Sequence, residues 1–293
     1  MRLLFPFLTS FILAGTAEQS LAADPLRRVF VANAPLAYFV DTLSGGSIEV
    51  VYPVPQGIDP AFWNPTPEDV LAAQGADIIL LNGAGYSSWA KSAVLPRGRI
   101  VVSAAAFKDR LIADDGPKHQ HGPEGAHSDG AGMAFTTWLD PELAMLQLEA
   151  TAQALIEKWP DLAAGVDTAR ANIESEIAEM DTAFERFFAR TEGRQIITSH
   201  PVYQYLERRY GQSPVPLHWE PDVMPDQREW SRFEALLESA KSPLLIWEGE
   251  PDPEIADNLD RMGVDWLVIS PFANASNRTS LFSQIAAQVS AAE

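Results

Sequence analysis

Apolar residues recur at steps of three and four from Leu162 through Val166, Ala169, Ile173, Ile177, Met180 and Phe184 to Phe187, with Glu174, Glu176, Glu179, Asp181, Glu185 and Arg186 between them. That spacing is one face of an amphipathic α-helix. It predicts a helix over 161–190, started at Pro160, with Asp161 placed to satisfy the first free amides and Gly193 just past the end. At ~1.5 Å per residue this is a rod of roughly 45 Å, longer than one small domain. Short β-rich runs alternate with helical patterns on both sides of it. Before it, Arg28–Ala32, Ile48–Pro53, Ile78–Leu81 and Ile100–Ser103 read as strands, with helices over Leu36–Leu43, Pro67–Gln74 (capped by Thr66) and Leu143–Trp159. After it, strands are expected at Gln195–Thr198, Val215–Leu217, Pro243–Trp247 and Trp266–Ile269, with helices over Val202–Tyr210, Gln227–Ser239, Pro253–Met262 and Leu281–Ala291.

Strands alternating with helices imply parallel sheets covered on both faces. The expected fold class is therefore α/β: two similar parallel-sheet lobes, 24–160 and 191–293, joined by one long rigid helix at 161–190, with the ligand cleft between the lobes. The alternative is a long helix packed inside a single domain. Residues 108–136 are rich in Gly, Asp and His without any period, and are expected to form a mobile loop. In open parallel sheets, ligands sit beyond the carboxyl ends of the strands. Here those ends carry Asn33, Asn82, His200, His218, Glu220, Glu248, Glu250 and Ser270.

Composition adds an address. Met1-Arg2, the apolar run Leu3–Ala14 and the small residues Ser20-Leu21-Ala22-Ala23 have the form of a secretory signal peptide over 1–23. The chain holds no cysteine, which excludes disulfides, thiolate metal sites and a lipidated cysteine. A monomer free in a periplasm is the expectation. A net charge of −19 argues against nucleic acid and anionic membranes, and suits a protein that meets a cation or a basic partner. Ser199 adjoins His200 without a nucleophile-elbow pattern, and Gly83-Ala84-Gly85 is too short for a dinucleotide fingerprint, so an enzyme is not expected.

Several stretches then fall into a familiar order. Val54-Pro55-Gln56-Gly57-Ile58-Asp59-Pro60 leads to Pro65-Thr66-Pro67-Glu68-Asp69 and on to Ala76-Asp77-Ile78-Ile79-Leu80-Leu81-Asn82-Gly83-Ala84-Gly85. Trp138-Leu139-Asp140-Pro141, Ser199-His200, Tyr205-Leu206 and Arg208-Arg209-Tyr210-Gly211 follow. Together these resemble the zinc/manganese solute-binding proteins of bacterial ABC importers. The resemblance implies two lobes bridged by a rigid helix. It also implies a role: capture of a divalent metal, zinc first and manganese or another ion as alternatives, for transfer to a membrane permease.

The resemblance also exposes departures. The family's metal is held by four side chains, three histidines and a carboxylate or two of each. The first histidine position is here Ala61, the second is Thr136, the third matches His200, and the aspartate of the last strand is Ser270. Zinc wants four donors, mostly imidazole nitrogen and carboxylate oxygen, and Ala61 offers none. Three replacements are open. His200, His218 and Glu248 each follow a strand of one sheet, with Glu220 and Glu250 nearby. His119, His121 and His127 lie in the 108–136 loop and could fold over the cleft. Trp63 and Trp138, with Trp219 and Trp247, could instead stack on an organic molecule or a chelated metal, or serve only as hydrophobic walls holding the lobes. The alternative function is thus the same fold with its metal site lost, binding a chelate, an organic solute or a partner protein. An adhesin role is a third reading.

Overall fold

The computed structural model describes residues 26–114, 132–272 and 278–291. The proposed signal peptide and the three loop histidines His119, His121 and His127 lie outside the described residues.

The first lobe is built on β1 (Arg28–Val31), β2 (Glu49–Val51), β3 (Ile78–Leu81) and β4 (Ile100–Val102), all parallel, in the order β2-β1-β3-β4. The crossovers carry α1 (Ala34–Ser44) and α2 (Pro67–Gly75). Thr66 caps α2 as expected, in a reciprocal box with Asp69. All four residues of β3 are buried, because helices cover both faces of the sheet.

The second lobe repeats the plan with β7 (Ile196–Thr198), β8 (Val215–Pro216), β9 (Leu244–Trp247) and β10 (Asp265–Val268), parallel in the order β10-β9-β7-β8. Its helices are α5 (Gln204–Tyr210), α6 (Gln227–Ser239), α7 (Pro253–Arg261) and α8 (Leu281–Ala291). Alternation along β9 divides two cores. Leu244 and Ile246 join the large core shared with the first lobe, while Leu245 and Trp247 join a second core with Trp219, Phe233, Ile255 and Leu259.

Between the lobes run α3 (Pro141–Lys158) and the 28-residue α4 (Ala163–Arg190). The buried residues of α4 are Val166, Ile173, Ile177, Met180, Ala183, Phe184, Phe187 and Phe188: six of the predicted stripe with Ala183 and Phe188 added, while Leu162 falls in the preceding turn and Ala169 is only half-buried. This face packs on α1, α3 and α8, so the rod is built into the core as well as bridging the lobes. Its start differs from expectation. Residues Pro160–Leu162 form a separate 3-10 turn, the helix begins at Ala163 with no side-chain cap, and Asp161 accepts from Arg27 at 2.7 Å instead. The 108–136 loop is also less irregular than expected: β5 (Ala113–Asp114) and β6 (Gly132–Met133) pair antiparallel across its base.

The lobes meet along a seam. The Tyr205 hydroxyl accepts from the Ile112 amide at 3.2 Å and donates to the Ala134 carbonyl at 2.9 Å. Trp138 Nε1 donates to the Pro271 carbonyl at 2.7 Å, and the Thr136 hydroxyl donates to the Val202 carbonyl. Arg278 bonds Asp41, and Arg209 bonds both Glu142 and Asp181. Among the described residues no helix is long and apolar enough to cross a membrane.

Candidate functional site

Each sheet has a topological switch point, where consecutive crossovers leave in opposite directions and the strand ends splay apart. In the first lobe it lies between β1 and β3, and there Asn33 and Asn82 meet, Nδ2 to Oδ1 at 3.2 Å. Gln147 and Ser103 extend this buried network, Gln147 Nε2 bonding Asn82 Oδ1 at 3.0 Å and Ser103 Oγ at 2.8 Å. In the second lobe the switch point lies between β7 and β9. There the Glu248 amide donates to Ser199 Oγ at 3.2 Å and the Ser199 amide to the Ile246 carbonyl at 2.8 Å, so the residues after Ser199 and Glu248 leave the sheet side by side.

His200, buried, is the first residue outward from that point. Its Nε2 stands 3.6 Å from Glu220 Oε1. Two donors on one zinc ion at about 2.1 Å each, subtending roughly 120°, are separated by about that distance. The His218 ring lies edge-on to that of His200 with centroids 5.8 Å apart. That falls in the range of roughly 5–6 Å that two imidazoles take on one ion at such bond lengths. His218 reaches this place through a left-handed backbone conformation, φ +67°, which is costly for a residue with a Cβ. The amides of Leu217 and Trp219, bonded to the Thr198 and Ser199 carbonyls, hold the chain on either side of it.

Glu248 is half-buried at the same edge. Burial pushes its carboxyl up to about 8, and the negative charges of Glu220 and then of Asp59 push the same way. Asp59 lies in the proline-rich loop of the first lobe. Among the described residues no group of three or more His, Cys, Asp or Glu is placed to hold a metal ion. The second lobe by itself brings His200, Glu220 and His218 side by side.

The remaining expected residues fall elsewhere. Ala61 is buried, and its amide donates to Asp59 Oδ1 at 2.8 Å. Thr136 is buried in the seam with its hydroxyl engaged there. Ser270 lies two residues past the end of β10; its amide donates to Gln288 Oε1 and its hydroxyl accepts from the Phe272 amide. Glu250 is exposed. The four tryptophans are buried, as walls that hold the lobes would be. Trp138 is fully buried in the seam, and Trp63 stands edge-on to Trp89. Trp219 and Trp247 belong to the second core, Trp219 packing on Phe233 at 5.0 Å. Trp219 also meets Trp247, and Trp138 meets Tyr86 edge-on. Sequence reasoning did not single out Asp59, exposed within a quoted motif, whose charge helps to raise the Glu248 carboxyl.

A family model described as "ZnuA: Zinc-uptake complex component A periplasmic" matches residues 29–291. The chain belongs to this family. It is 22% identical over 210 residues to the high-affinity zinc uptake system protein ZnuA of Bacillus subtilis strain 168, covering 70% of this chain and 66% of that protein. It is 27% identical over 253 residues to the manganese ABC transporter substrate-binding lipoprotein PsaA of Streptococcus pneumoniae, 81% of this chain and 76% of that one. Against the streptococcal zinc-binding protein AdcA it spans only 54% of the relative's length. Among solved structures, the Zn(II)-bound ZnuA-like domain of S. pneumoniae AdcA superposes with a TM-score of 0.73 at 16% identity, covering 91% and 97% of the two chains. FpvC from Pseudomonas aeruginosa in complex with Mn2+ gives 0.67 at 18% identity, covering 91% and 96%. These likenesses establish the two-lobed fold. The relatives in this family are transporter substrate-binding proteins, not enzymes.

Proposed function

We propose that this chain captures a divalent metal, zinc first, outside the cytoplasm and presents it to the membrane permease of an ABC importer. The grouping on the second lobe carries the reading: His200 Nε2 at 3.6 Å from Glu220 Oε1, with the His218 ring beside it and Glu248 at the same strand edge. Two imidazoles with carboxylates are donors that zinc accepts and that manganese tolerates. Relatives named for zinc, manganese and iron support the class of ligand and leave the choice among them to the donors of this chain. The absence of cysteine from the sequence supports a form without a lipidated cysteine, in contrast to relatives named as lipoproteins. His119, His121 and His127 are proposed as weak collectors of metal, on composition alone.

The test is a thermal titration of metal-free protein with zinc, manganese, iron, nickel and copper. A ligand of the folded state at a hundred times its Kd stabilises by about 2.7 kcal/mol. Zinc is expected to raise Tm by roughly 5–10 °C, and His200→Ala to abolish the rise. A wild-type protein that responds to none of the five metals refutes the reading.

A further inference from the structure

The chain carries 40 acidic residues against 21 basic ones, yet no acid falls within 78–107, where Lys91, Arg97 and Arg99 stand. The same stretch holds Val94, 83% exposed, and on α2 stands Leu71, 64% exposed. Single aliphatic residues at a surface need no explanation. These two are gathered in one place with the cations. Gln74 Nε2, one turn past Leu71 on α2, donates to the Val94 carbonyl at 2.7 Å. Arg99 Nη1 donates to the Gln74 carbonyl at 3.2 Å and to the Ala76 carbonyl at 2.9 Å. Lys91 and Arg97, three residues to either side of Val94, are both exposed.

The protrusion is preformed. Lys91 ends the 3-10 turn Ser88–Lys91, and the amides of Ser92 and Ala93 bond the Trp89 carbonyl at 3.1 and 3.0 Å. Trp89 is buried, edge-on to both Phe30 and Trp63, and roots the loop in the core. On the other side the turn Arg97–Arg99 leads directly into β4, so the patch lies at the amino edge of the first sheet, opposite the strand ends that face the cleft. Neighbouring acids leave it its charge. Asp77 accepts the Arg28 amide at 3.0 Å, and Glu68 and Asp69 sit in the first turn of α2, at the other end of that helix.

We propose that this patch is a contact surface for an anionic phospholipid bilayer. Val94 and Leu71 meet the apolar boundary while Lys91, Arg97 and Arg99 meet the phosphates, which is how a protein lies on a membrane without entering it. The tip is aliphatic and carries none of the Trp and Tyr anchors that dominate protein interfaces, which favours lipid over a protein partner. The net charge of −19 does not oppose this. Salt screens exposed charges beyond about 10 Å, so a bilayer attracts this face and repels the acidic remainder, and the contact is oriented. The sequence has no cysteine on which a lipid could sit, and this contact holds the protein reversibly at a bilayer with its cleft uncovered. The proposal is independent of the metal-capture reading.

The test is co-sedimentation of the full chain with vesicles of phosphatidylcholine alone and with added phosphatidylglycerol, in low and high salt. Binding is expected only to the anionic vesicles and fades in high salt. Lys91→Glu with Arg97→Glu should weaken it at least about tenfold, since each cation near an anionic surface is worth a factor of about five. Val94→Ser should weaken it roughly threefold. Arg228→Glu with Arg232→Glu, two exposed cations of α6, changes the net charge by the same amount and should leave binding within about twofold. All these side chains are exposed, so melting midpoints should not move. A wild type that sediments with neither vesicle, or equal weakening by the two charge pairs, overturns the proposal. Binding to soluble polyglutamate without binding to anionic vesicles also overturns it, and identifies an acidic protein as the partner instead.

Discussion

Tyr205→Phe removes a single oxygen from the seam and tests what ties the lobes together. The ring is fully buried. Its hydroxyl serves two backbone groups of the first lobe, accepting from Ile112 at 3.2 Å and donating to Ala134 at 2.9 Å. These two residues flank the β5–β6 pair that closes the base of the histidine-bearing loop. Each hydrogen bond contributes about 1 kcal/mol net, and a buried backbone group left without a partner costs about 1–3 kcal/mol. The substitution should therefore destabilise the metal-free protein by roughly 2–4 kcal/mol. For a chain of this size that corresponds to a fall in Tm of roughly 5–10 °C. Urea denaturation followed by circular dichroism measures the free energy, and calorimetry the midpoint. The hydroxyl bonds none of the candidate donors, so zinc stoichiometry should not change. A free-energy change below about 0.5 kcal/mol would mean that water satisfies both backbone groups and that the seam is not latched there.

Two further outcomes test other parts of the fold. Burial raises the Glu207 carboxyl to about 7 in the folded state, from an ordinary 4.5. Between those values the folded protein holds a proton that the unfolded chain has released, so stability should fall as pH rises from about 4.5 to 7 and level off above. Glu207→Gln should flatten that slope and, with solvent screening allowed for, gain about 1 kcal/mol at pH 8 in urea titrations; an unchanged slope would show the carboxyl to be solvated. Gly83 has φ +85°, and a Cβ there would meet Ala104 Cβ and Val102 Cγ1 at 2.8 Å. Gly83→Ala should cost about 2 kcal/mol or more by strain and overpacking, read as a loss of Tm, and a neutral result would mean that the β3 exit relaxes freely.

Periodicity alone determined most of the architecture. The stripe from Val166 to Phe187 is a helical face whatever surrounds it, and the all-buried β3 can only be a strand covered on both sides. Such patterns are local, because a helix or strand that must bury one face declares it within a few turns. The ordered motifs were equally legible, and they placed the chain in its family with His200 at a strand end. Partnerships across long separations were not legible. Asp161 has the chemistry of a cap but is taken by Arg27, 134 positions away. Trp138, Trp219 and Trp247 have the chemistry to stack on a ligand but are buried, because seam and core remove more apolar area from water than a cleft does. The grouping of His200, His218, Glu220 and Glu248 follows from strand order at the switch point of the second sheet. Only the paired sheets decide that order, since any strand pattern is compatible with several orders and only one brings these ends together.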